Sequence, residues 1–67
     1  MKDIPTYIDE REVARITGFA LSTLRNNRFK GVGIPYSRIM GRSIRYRLED
    51  VLDFMESHRV ETDRHAG

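Results

Sequence analysis

Residues 9–28 read DEREVARITGFALSTLRNNR, and two helices meeting at a glycine are written into them. Asp9 is a residue whose side chain accepts from the free amides of a helix start. Glu12 follows at the spacing of a reciprocal capping box. Ile8 before the cap and Val13 at the fourth helical position suit a hydrophobic staple, and Glu10 and Glu12 suit the positive end of the helix dipole. Val13, Ala14 and Ile16 give a narrow apolar face, and Gly18 can take the left-handed conformation that closes a helix. A first helix is expected over residues 10–17. A second is expected over 20–29, with Leu24 facing the first and Ser22, Thr23, Arg25 and Asn26 on other faces. Continuing that helix would expose Phe29, so it is expected to end near Arg28 and let Phe29 fold back to the core. Two short helices joined by a tight turn containing Gly form the helix-turn-helix pattern.

On either side the signals are simpler. Residues 1–6 read as an arm, because Pro5 opposes helix. Gly31-Val32-Gly33-Ile34-Pro35 breaks the second helix. Two short β-prone runs then flank Gly41-Arg42, so a hairpin is expected over residues 37–46 with Arg42 at its tip. Alternation places Ile39, Ile44 and Tyr46 inward and Arg38, Arg45 and Arg47 outward. Leu48, Val51, Leu52 and Met55 recur at helical spacing, Phe54 widens the stripe, and a third helix is expected over 48–58. Residues 60–67 read as a flexible polar tail. The expected fold is mainly α with a small β-hairpin: a winged helix-turn-helix over residues 7–59.

The chain has 67 residues, which allow one small domain with little material for a walled catalytic cleft. It has no cysteine, which excludes disulfides and thiolate metal sites. No apolar run has the length of a membrane span, and Met1-Lys2-Asp3-Ile4-Pro5 lacks the apolar stretch of a signal peptide. A cytoplasmic, nucleoid-associated protein is the expectation. Net charge is only +2, but it is segregated. Residues 20–47 carry Arg25, Arg28, Lys30, Arg38, Arg42, Arg45 and Arg47 and no acid, whereas both flanks are net negative. Such a block sets up a local positive potential, and the planar Arg fork suits phosphates and guanine edges. A polyanion-binding face is the reading preferred over a merely solvated one.

The chain also resembles the excisionase and AlpA-like regulators, small winged helix-turn-helix relatives of the MerR-type DNA-binding domain. The resemblance runs from Tyr7 to about Arg59. It is carried by Tyr7-Ile8, Glu12-Val13-Ala14, Thr17-Gly18, Ser22-Thr23-Leu24-Arg25-Asn26, Arg28, Gly31-Val32-Gly33-Ile34-Pro35-Tyr36, Gly41-Arg42-Ser43-Ile44-Arg45-Tyr46 and Glu49-Asp50-Val51. Ala20 departs from the usual Ser-like cap, and Asn27 and Phe54 stand where many members have tryptophan. The resemblance implies a protein of phage or integrative-element origin that binds double-stranded DNA without chemistry of its own. Its second helix would enter the major groove, and its wing would lie on the backbone or in the minor groove. Ser22, Thr23, Arg25 and Asn26 are the expected groove readers. Arg28 and Lys30 are expected on phosphates, and Arg38, Arg42 and Arg45 on the wing contacts. With about six phosphate contacts, log affinity would fall against log salt with a slope near −5. An integrase is the implied protein partner. The chain is expected to be a monomer that assembles side by side on DNA, because no long heptad is present.

Several of these residues have plainer readings. Ser22 and Thr23 can serve only to satisfy amides at a helix start, Arg28 can cover the apolar face with its stem while pairing with an acid, and Arg47 can belong to the third helix. Tyr36 and Tyr46 read as packing residues. No catalytic residue, cofactor or metal site is expected, since His58 and His65 lack triad or ligand spacing. The competing functions are an adaptor that binds protein through the third helix without binding DNA, the DNA-binding module of a phage packaging subunit and, more weakly, a membrane-surface binder.

Overall fold

The computed structural model describes residues 4–60. Within them lie three helices and a small three-stranded antiparallel sheet, in the order of a winged helix-turn-helix. The elements are β1 (Tyr7–Ile8), α1 (Glu10–Thr17), α2 (Leu21–Lys30), β2 (Ser37–Ile39), β3 (Ser43–Arg47) and α3 (Leu48–Ser57). The expected tail beyond Val60 and the first three residues of the expected arm lie outside the described residues.

Helix α1 starts and stops where its caps dictate. The Asp9 carboxylate accepts from the Glu12 amide at 3.0 Å. The reciprocal half of the capping box is not made, because the Glu12 side chain turns forward to accept from Arg15. Gly18, at φ +81°, donates its amide to the Ala14 carbonyl at 2.8 Å. The Thr17 hydroxyl braces the turn, donating to the Val13 carbonyl and accepting from the Phe19 amide. Helix α2 begins at Ala20 without a side-chain cap and runs one residue further than expected, to Lys30. Phe29 therefore does not fold back; it stays on the helix and is 90% exposed.

The sheet holds two corrections. Residues 7 and 8, with no strand signal of their own, form β1 and pair with β3 as Tyr7↔Arg47 and Ile8↔Tyr46. Through this strand the Thr6 carbonyl accepts from the Leu48 amide at 2.8 Å, capping α3 from a distance. In the hairpin, Ile39 pairs with Ser43 and Arg38 with Ile44. Directly paired residues share a face. Ile39 therefore faces outward with Arg45, and Arg38 shares the face of Ile44 and Tyr46, the reverse of the expected alternation for these two residues. The cause is a loop of three residues, Met40 to Arg42, where Gly41-Arg42 alone was expected. Met40 (φ +55°) and Gly41 (φ +77°) sit at its centre, with the Arg42 amide bonded to the Ile39 carbonyl. Positive φ at both central residues is the mark of a type I′ turn, which matches the twist of a hairpin.

The core is small: Val13 from α1, Leu24 from α2, Ile34 from the loop, Tyr46 from β3 and Val51 from α3. Ile8, Phe19, Tyr36, Ile44 and Phe54 pack around it. Only part of the expected α3 stripe is used. Val51 is buried and Phe54 half-buried, but Leu52 and Met55 remain exposed. No helix among the described residues is long and apolar enough to cross a membrane.

Candidate nucleic-acid interface

Helix α2 buries Leu24 and half-buries Leu21, Asn27 and Arg28, so its opposite face is turned to solvent. Ser22, Asn26 and Phe29 lie near the middle of that outward face, with Thr23, Arg25 and Lys30 at its margins. Among the described residues, the polar ends of Ser22, Thr23, Asn26 and Lys30 have no hydrogen-bond partner in the fold. The plainer reading of Ser22 and Thr23 as amide caps is not realised.

Arg25 and Arg28 stand three residues apart on the edge of α2 that meets the start of α1. One carboxylate gathers both. Arg25 donates to Glu10 through Nε and Nη2 at 3.3 and 2.7 Å, and Arg28 donates from Nη2 at 3.2 Å. The Arg25 hydrogen bond is the main cause holding the Glu10 carboxyl below its ordinary value, with Arg28 adding to it and partial desolvation opposing both. The two arginines otherwise differ. Arg25 is well exposed, whereas the Arg28 side chain is only 13% exposed. Arg28 also donates from Nη1 to the Tyr46 hydroxyl at 2.8 Å, and its guanidinium lies 5.8 Å from the centre of the Tyr36 ring. This buried phenol hydroxyl has its partner, as a buried Tyr requires. Arg28 thus sits as the plainer reading has it, stem on the apolar face and head on an acid.

The wing divides the remaining cations, with Arg38 on the face of Ile44 and Arg45 on the opposite one. Arg38 lies over the Tyr36 ring at 5.9 Å, so Arg28 and Arg38 share one aromatic ring. Arg42 and Arg45 line a cleft with Arg28, Ser43 and the start of α1, which brings Arg11 and also the carboxylates of Asp9 and Glu10. Arg38, Arg42 and Arg45 are exposed and form no ion pair among the described residues; Arg45 donates from Nη1 only to its neighbouring Ile44 carbonyl. Arg47 leaves the group. It precedes α3 and donates to Glu49 at 2.9 Å. Of the seven cations in the acid-free block, Lys30, Arg38, Arg42 and Arg45 form no ion pair among the described residues. Arg25 is exposed and shared, and Arg28 is structural.

Arg11 is the basic residue that sequence reasoning missed. It stands on the net-negative flank, and only the folding of α1 against the wing brings it to the cleft. Asn27 packs against the Gly33 backbone; a Cβ on Gly33 would lie 3.0 Å from its Nδ2. His58 stacks on Phe54, with Nδ1 2.8 Å from the Phe54 carbonyl. Among the described residues no cluster of His, Asp or Glu could hold a metal ion.

No protein-family model, curated protein or solved structure matches this chain.

Proposed function

We propose that this protein binds double-stranded DNA, with α2 in the major groove and the β2–β3 wing on the flanking backbone or minor groove. The observation that carries the reading is the separation of charge in three dimensions. Among the described residues every carboxylate but Asp53, which lies on α3, stands at a helix start or in an ion pair, while Lys30, Arg38, Arg42 and Arg45 are exposed and form no ion pair, and the outward face of α2 is free of acids. Asn26 offers the amide that suits adenine, and Arg25 the fork that suits guanine once it exchanges Glu10 for a base or phosphate. Arg28 orders the interface from behind by joining α2 to β3.

The resemblance to excisionase and AlpA-like regulators extends the proposal. In that setting the chain binds attachment-site or promoter DNA of a mobile element in the cytoplasm, works beside an integrase, and assembles in neighbouring copies on the duplex. A single small module supports this, because bending DNA costs about 1–6 kcal/mol, more readily met by several bound copies. The test is binding to a random duplex pool by fluorescence anisotropy across a salt series. Four unpaired cations, with Arg25 as a fifth, give a slope of log affinity on log salt of about −4. No affinity at low salt would refute DNA binding and favour a protein-interaction adaptor using α3.

A further inference from the structure

The outward stripe of α2 is Ser22, Arg25, Asn26 and Phe29, an i, i+3, i+4, i+7 set. That is the spacing by which a recognition helix lying along the major groove presents side chains to base edges. Three of the four are polar. The fourth, Phe29, is 90% exposed even though it is large enough to enter a core. Its surroundings do not make it part of an apolar docking surface. Arg25 and Asn26 are one turn behind it, Lys30 follows, α2 contains no acid, and the nearest exposed apolar residue in sequence, Val32, lies beyond the helix end. An apolar ring fenced by cations and amides matches one kind of surface. The phosphate walls of a groove satisfy the fence, and the 5-methyl group of thymine is the apolar feature on its floor. From Ser22 to Phe29 the helix advances about 10 Å, close to three base steps, so the ring reaches a base the polar residues do not.

We propose that Phe29 is a specificity-determining residue that recognises a thymine 5-methyl group at one end of the bound site. This rests on the reading of the chain as a major-groove binder.

The test uses the full chain and the best duplex selected from a random pool. Each thymine in turn is replaced by deoxyuridine, which deletes only the methyl group, and Kd is measured by anisotropy for the wild type, Phe29→Ala and Phe29→Leu. One position should weaken wild-type binding about fivefold. Phe29→Ala should lose a similar factor on thymine DNA and be indifferent to deoxyuridine there, so that the two losses do not add. Phe29→Leu should keep part of the discrimination. Unchanged melting temperatures are expected for both variants because the side chain is so exposed. If Phe29→Ala binds thymine DNA as well as the wild type, or loses affinity while keeping every deoxyuridine sensitivity, the inference is overturned but DNA binding stands. If the wild type selects no duplex, the parent reading falls with it.

Discussion

Replacing Glu10 by Gln changes one charge at the point where α1, α2 and β3 meet, and stability and binding should move in opposite directions. On the stability side, the carboxylate accepts from Arg25 and Arg28. The Arg25 pair is exposed and screened by solvent, so it contributes little. The Arg28 bond is the more costly loss, because that guanidinium is mostly covered and its other acceptor is the Tyr46 hydroxyl. A hydrogen bond to a charged partner is worth about 1.5–3 kcal/mol, and Gln retains some of it as a neutral acceptor. A net loss of about 1–2 kcal/mol follows, lowering Tm by roughly 5–15 °C for a domain of this size. On the binding side, Arg25 already counts among the wild-type contacts, so the variant, which no longer has to break the Glu10 pair, should bind more tightly at low salt with the slope of log affinity on log salt close to the wild-type value. The pH dependence carries a sign. The Glu10 carboxyl is held below its ordinary value of 4.5, so its stabilisation is fully present above that value and is lost as pH falls through the lower folded value. The gap in stability between wild type and Glu10→Gln should therefore be widest near neutral pH and narrow below about pH 4.5. Thermal melts followed by circular dichroism, with anisotropy on the same samples, read all three effects. An unchanged Tm would refute the assignment of Glu10 as the anchor of Arg28. A shallower salt slope in fully folded variant would show that Glu10 positions Arg25 for DNA.

Arg42→Ala should weaken duplex binding severalfold and flatten the salt slope by about 0.9 with Tm almost unchanged, since Arg42 is exposed and unpaired; a large Tm loss would make Arg42 structural. Met40→Asn should stabilise the hairpin by about 1 kcal/mol, because Met40 holds φ +55° where Asn is better tolerated, and a fall in Tm on thermal melting would contradict the turn geometry. Gly33→Ala should cost about 1–2 kcal/mol in urea unfolding, since Gly33 sits at φ +90° and its Cβ would crowd Asn27; a neutral result would mean that this loop relaxes freely.

The helices were legible because their signals are local. Asp9 and Gly18 bound α1, and Gly31 at φ +74° ends α2 by its own conformational freedom. What misled was whatever depended on register or on neighbours. One extra loop residue, Met40, exchanged the facing of Arg38 and Ile39, because strand faces alternate with a period of two. The Leu52 and Met55 positions follow the α3 period but find no element to cover them in so small a fold. Strand β1 is two residues long and exists only because β3 offers an edge for pairing.

The candidate site divides in the same way. The block of seven cations without an acid is a property of chain order alone, and so are the polar residues along α2. Which cations stay free is a property of space. Glu10 lies 15 and 18 positions from Arg25 and Arg28, and it neutralises them only because α1 crosses the edge of α2. Charge content and helical period are sums over neighbours along the chain, so they survive without coordinates. Ion pairing and strand facing fall off over a few ångströms through space, and folding alone brings those partners within reach.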